Sequence, residues 1–198
     1  MPIGKTLPMT FPDDPGQRYA AIADGFTELV SGTRDWDAPS PVAGWKARDV
    51  VWHLVDWLPG LLSIGASIEL PRRDPDASDP SADWAALDRQ VRAIWSQPAV
   101  VNGPFAHPQA GTMTVGAAID MLYTPDVFMH SWDLARATGQ PIDLDADYCA
   151  GLLAGMEGIE EMLRSSGHYG TRVDVPGDAD VQTRLIAFIG RDPNWSPG

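Results

Sequence analysis

Tyr123-Thr-Pro-Asp126-Val-Phe-Met-His130-Ser-Trp-Asp133-Leu-Ala-Arg136-Ala-Thr-Gly139 is the stretch on which the fold turns. It has the composition of the end of a helix, with Gly139 as the C-terminal cap. At the helical period, Ile119, Leu122, Asp126, His130, Asp133 and Ala137 fall on or near one stripe. The apolar members turn that stripe toward a core. Polar groups on a core-facing stripe are costly unless they are paired or hold a metal. Asp126 and His130 stand at i and i+4, so their side chains share a face one turn apart. Two such residues can bind one cation side by side. The same spacing also suits a solvated face or a simple hydrogen bond, and by itself it does not choose.

A third ligand has to come from another helix. The best donor is His53, in Gly44-Trp45-Lys-Ala-Arg-Asp49-Val-Val-Trp-His53-Leu-Val-Asp-Trp57. Val50, Leu54, Trp57 and Leu61 make an apolar stripe there, and His53 borders it. The other two histidines are less suited. His107 lies in a Pro-flanked loop and His168 in a Gly-flanked one, where surface positions are expected.

Outward from these two segments the chain reads as helices joined by loops of mixed length. Residues 1–14 contain three prolines and are expected to lie extended. Pro15 suits a helix start, and Tyr19, Ile22, Phe26, Leu29 and Val30 recur at helical spacing to about Ser31. Pro39 and Pro41 mark residues 32–44 as a loop, which Trp36 would pin. The second helix is expected from about Trp45 to about Ile68, with a kink at Pro59-Gly60. A third is expected from about Ser81 to Gln97, with Trp84, Leu87, Val91, Ile94 and Trp95 as its apolar face. Residues 98–113 read as an irregular connection. The fourth helix starts near Thr114, and Pro125 predicts either a kink or a restart with Thr124 as cap. A fifth is expected from about Asp145 to Ser165 and a short last one near Asp180–Gly190, with 166–198 as a C-terminal extension. No strand of convincing length is visible. The expectation is an all-α fold, a four-helix bundle with additional short helices and long loops, forming one domain over 1–198.

Composition narrows the function classes. Of 198 residues, 44% are hydrophobic, as expected for a globular protein, and the formal net charge is −13. An acidic chain without a basic cluster is poorly suited to nucleic acid or to an anionic membrane surface. The single cysteine, Cys149, excludes an internal disulfide and a multi-cysteine metal site, and is expected as a small core residue. The N-terminus lacks the apolar core of a signal peptide, and no apolar run approaches the ~18–20 residues that span a bilayer. A soluble, cytoplasmic protein is expected. Eight tryptophans are many for this length, enough to fill a core and still line a pocket.

Three segments carry a family resemblance. The first runs from Trp36-Asp37 through Pro41 and Gly44-Trp45 to His53. The second is Asp126-x3-His130-Ser-Trp-Asp-Leu-Ala-Arg-Ala-Thr-Gly139. The third is the tail from Arg172 to Asp192. Together they resemble the DinB-like superfamily, and within it the actinobacterial group related to mycothiol-dependent maleylpyruvate isomerase. The resemblance implies a four-helix bundle with a divalent metal at one end, its ligands mapping onto His53, Asp126 and His130. Zinc is the first expectation, with nickel or another divalent ion as alternatives, and mycothiol is implied as a cosubstrate. Asp126 is a departure, since the isomerase carries Glu there, and Pro125 is another.

Two imidazoles and one carboxylate would leave positions open on a divalent ion, the pattern of a catalytic site. Three functional readings follow. One is a metal-dependent transferase or isomerase using a low-molecular-weight thiol. The second is a metal-dependent enzyme without thiol, such as a hydrolase or tailoring enzyme. The third is a non-catalytic metal- or ligand-binding module. Asp133 and Arg136, at i and i+3, suggest a surface salt bridge; the sharper alternatives are that Asp133 orients a ligand and that Arg136 meets a substrate carboxylate. Asp49 stands one turn before His53, as an exposed carboxylate or as support for that ligand. The expected partners are a small-molecule substrate and a thiol, with a homodimer as a further expectation.

Overall fold

The computed structural model describes residues 11–165, 167 and 169–197; His168 and the first ten residues of the 1–14 segment lie outside this range. The chain forms two compact units, a larger one built on Asp13–Ile142 and a smaller one on Asp143–Trp195.

The larger unit begins with α1, Pro15–Gly32. Asp14 caps it, its carboxylate accepting from the Gln17 N–H at 2.8 Å, and Pro15 occupies the first turn, where its missing N–H costs nothing. Tyr19, Ile22, Ala23, Phe26, Leu29 and Val30 form its buried face. Helix α2 spans Ala47–Ala66 rather than starting at Trp45. Trp45 and Lys46 still belong to the preceding turn: the Ser40 N–H donates to the Trp45 carbonyl and the Ala47 N–H to that of Ala38. Asp49 closes the helix start by accepting from the Lys46 N–H at 2.8 Å. Pro59 lies inside α2, buried, and the helix continues to Ala66. Helix α3 covers Ser81–Trp95.

A short helix α4, Pro98–Val101, leads into a feature the sequence reading missed. Strands β1 (Pro104–His107) and β2 (Gly111–Thr114) pair antiparallel, with Phe105 opposite Met113 and His107 opposite Gly111. Four residues per strand are too few for an alternating pattern to stand out. The hairpin is anchored by Phe105, fully buried against α2 at Gly65. A Cβ at Gly65 would fall 2.1 Å from the Phe105 ring, so this approach requires glycine.

Helix α5, Val115–Ala118, passes into a π-helical turn at Ile119–Tyr123 and then α6, Thr124–Thr138. The wide turn is how the chain accommodates Pro125. Proline cannot donate to the carbonyl four residues back, and its ring crowds the preceding turn. Widening by one residue moves the bonding to i→i+5: both the Thr124 N–H and its hydroxyl donate to the Ile119 carbonyl. Arg18 of α1 clamps Asp120 in this turn with two bonds from Nη2, at 2.7 and 2.9 Å, and one from Nε at 3.2 Å. The expected kink or restart is thus replaced by a continuous passage into α6, which ends at Gly139 in the left-handed conformation (φ 67°).

Helices α1 and α2 each pack against both α3 and α6, which closes a four-helix bundle. Trp84 meets Phe26 edge-on at 4.6 Å and donates its indole N–H to Thr27 Oγ1 at 2.9 Å. Leu54, Leu58, Leu87 and Ile119 are fully buried. The fold is all-α, with this hairpin as its sheet among the described residues.

In the smaller unit, α7 (Ala146–Glu157) is capped by Asp145 and packs against α9 (Val181–Phe188), capped by Asp180. The helix expected from Asp145 to Ser165 is interrupted after Glu157, where Gly158 stands, and resumes as α8, Glu160–Ser165. Cys149 is buried on α7, as expected of a core residue. Among the described residues, no helix is long and apolar enough to cross a membrane.

Candidate metal centre

Two helices of the bundle bring the polar residues of the two decisive segments together. Helix α2 supplies His53. One turn of α6 supplies Asp126 and His130. His53 Nε2 lies 3.1 Å from Asp126 Oδ2, and His130 Nε2 lies 3.5 Å from Asp126 Oδ1. One ligand-type atom from each of the three residues falls within 4.8 Å of the others. His130 is buried, while His53 and Asp126 are partly open, with side chains 33% and 19% exposed. Solvent or a small molecule therefore approaches from the His53 side.

Two members of the cluster are held from behind. Asp133, with no exposed side-chain surface, places Oδ2 2.9 Å from His130 Nδ1. A carboxylate oxygen at this distance favours a proton on Nδ1, and Nε2 is the ring nitrogen that faces Asp126. The Trp57 indole N–H donates to Asp126 Oδ2 at 2.9 Å. Burial alone pushes the Asp126 carboxyl up. The neighbouring His130 and His53 and the Trp57 bond outweigh that and hold it below the usual carboxylate range. The Trp45 indole stacks on the His130 ring at 5.9 Å and lies 5.1 Å from the His53 ring.

This donor set fits a divalent ion: two imidazole nitrogens and a carboxylate, one imidazole backed by a carboxylate that fixes its tautomer. Asp133 thus meets the sharper of its sequence readings, bonding a candidate ligand. Arg136 lies with its guanidinium 5.7 Å from the Trp132 ring and does not line the cavity beside His53. Asp49 caps α2. His107 stays in the hairpin, its Nδ1 accepting from the Gln109 and Ala110 N–H groups. Ser131 turns its hydroxyl back to the Val127 carbonyl.

Beside His53 opens a cavity of about 380 Å³ lined by Trp45, Asp49, Trp52, Asp56, Trp57 and Arg73. Sequence reasoning placed Trp57 in an apolar stripe and missed its bond to Asp126. The available signal was its spacing, four residues beyond His53 and so on the same face. Arg73 gave no signal at all, because it lies in a loop whose path depends on the packing around it.

The chain matches, over residues 19–135, the family described as mycothiol maleylpyruvate isomerase N-terminal domain. It belongs to that family. The matched span contains His53, Asp126 and His130 together with Trp57 and Asp133. The family is metal-binding, and this chain carries a His-Asp-His cluster on an all-α, DinB-like bundle. The chain is similar to two uncharacterized proteins of Mycobacterium tuberculosis, from strains CDC 1551 / Oshkosh and ATCC 25618 / H37Rv. Each is 29% identical over 186 residues, covering 90% of this chain and 98% of the relative. No solved structure matches.

Proposed function

We propose that this chain is a metal-dependent enzyme of a low-molecular-weight thiol, a transferase or isomerase of the mycothiol type. In this reading His53, Asp126 and His130 hold one divalent ion, zinc before nickel or others. The observation that carries it is the convergence of three donors from two helices within 4.8 Å, inside the span that matches the family. When bound, the ion supplies an electrophilic centre at which a thiol loses its proton near neutral pH.

The protein's own groups do the rest. Asp133 keeps the proton on His130 Nδ1, so that Nε2 stays a donor. Trp57 fixes one oxygen of Asp126 and so orients its carboxylate. Trp45 covers both imidazoles and limits water on that side. The cavity beside His53 is the place for a small-molecule substrate. With its net charge of −13, the protein acts in this reading on small molecules in the cytoplasm, and not on nucleic acid or membrane.

The test is metal analysis joined to a thiol-consumption assay. Purified protein should hold about one divalent ion per chain, and His53→Ala and His130→Ala should each lose it. Zinc-loaded protein should consume mycothiol with at least one member of a panel of small electrophiles, and chelation should stop the reaction. Full metal retention in both variants would end the ligand assignment. Metallated protein that consumes no thiol would end the thiol reading.

A further inference from the structure

The cavity beside His53 has an unusual lining for an acidic protein's pocket. Three indoles, Trp45, Trp52 and Trp57, share it with two carboxylates, Asp49 and Asp56, and one cation, Arg73. Its volume of about 380 Å³ falls in the range of small-ligand sites. Indole faces attract cations through the ring quadrupole, and aromatic cages with nearby carboxylates take ammonium groups.

The protein already places a cation there. The Arg73 guanidinium lies 4.8 Å from the centre of the Trp52 ring, and its Nε is 3.7 Å from Asp56 Oδ2. A second guanidinium, that of Arg48, lies 5.9 Å from the same ring. At the ring edge, the Trp52 N–H donates to Asp83 Oδ2 at 3.4 Å, which adds electron density to the indole. Arg73 is lightly held. It comes from the loop between α2 and α3, and its ion pair is long, with side chains 37% and 49% exposed. Such a pair contributes little, so a competing cation displaces it at small cost.

We propose that this cavity binds an organic cation, an ammonium or guanidinium group on an apolar body, and that Arg73 occupies the cation position when no ligand is bound. The lining carboxylates outnumber Arg73 by two to one, and the whole chain carries −13, so the field favours a cation over an anion. The cationic end takes the Trp52–Asp56 position that Arg73 vacates. The apolar body extends along Trp45 and Trp57 toward His53. Only the last point, delivery of a substrate to the metal, rests on the proposed function; the cation preference does not.

The experiment titrates the full-length protein, zinc-loaded and metal-free, with choline and with its neutral isostere 3,3-dimethyl-1-butanol, following tryptophan fluorescence and heat. Choline should bind at least ~5-fold more tightly than the alcohol, the range a partly desolvated cation–π contact supplies. Arg73→Ala should tighten choline about 3-fold or more by removing the competitor, and Asp56→Asn should weaken it by a similar factor. Both substitutions are in solvent-accessible positions and leave the bundle core untouched. Equal binding of choline and the alcohol, no binding of either, or weaker choline binding after Arg73→Ala would overturn the proposal. So would a preference for the anion 3,3-dimethylbutanoate, which would make Arg73 an anion receptor instead. Choline preference that survives in metal-free protein keeps this inference standing even where thiol consumption fails.

Discussion

Replacing Asp133 by Asn tests the centre at the point where its reasoning is most exposed. The side chain is completely buried and touches His130 Nδ1 at 2.9 Å. Asn has the same shape, so the change opens no cavity; it exchanges a carboxylate for an amide. A hydrogen bond to a charged acceptor contributes about 1.5–3 kcal/mol, a neutral one about 0.5–1.5. The loss is therefore about 1–1.5 kcal/mol, close to tenfold in binding. A further loss follows if the amide turns its NH2 toward Nδ1, because the ring proton then moves to Nε2 and blocks the ligand atom. Together these place the fall in zinc affinity at about 10–100-fold, as found when such supporting partners are changed in other zinc sites. Zinc affinity is read by competition with a chromophoric chelator. Nitrogen NMR of the His130 ring reports the tautomer. Zinc affinity within about twofold of the parent, in folded protein with an unchanged tautomer, would refute the assignment of Asp133 as the group that positions His130.

Three further outcomes follow from particular contacts. Trp57→Phe keeps an aromatic wall but removes the N–H that holds Asp126 Oδ2, so zinc affinity should fall by about 3–10-fold at unchanged stoichiometry; unchanged affinity in the chelator competition would count against a role for Trp57 in orienting the carboxylate. Gly65→Ala drives a Cβ to 2.1 Å from the buried Phe105 ring, and thermal unfolding should show a loss of about 1–3 kcal/mol despite alanine's better helix propensity, whereas an unchanged or higher Tm would show that the hairpin yields freely. The Cys149 thiol is pushed up to about 12, first by burial and then by the charges of Asp145, Asp180 and Asp143, so at pH 8 a disulfide reagent should label native protein roughly a thousandfold more slowly than unfolded chain, and about tenfold faster for each unit the pH is raised; rapid native labelling would refute the burial.

What the sequence determined by itself is what depends on a local period. The helical spacing of apolar residues marked the bundle helices near their observed positions, and the i, i+4 spacing of Asp126 and His130 put both on one face, since a helix fixes that relation whatever surrounds it. Gly139 announced the end of α6 for the same reason: only a residue tolerant of positive φ closes a helix in that way. His53 was the best third donor because it borders an apolar stripe, and the family resemblance pointed to the same residue; no local rule says which helix will face α6. Other features came from packing between segments far apart in the chain. The π turn before Asp126 exists because Pro125 must be fitted into a helix that the bundle holds continuous, and a kink was the equally local alternative. The hairpin forms because Phe105 finds a gap beside Gly65, forty residues away in the chain. Trp57 reaches Asp126 and Arg73 reaches Trp52 across the space between elements, and tertiary structure alone decides such distances. Asp133 lay on the predicted stripe, but whether its carboxylate would meet His130 or Arg136 depended on burial. A fully buried carboxylate must find a partner, and the imidazole one turn away was within reach.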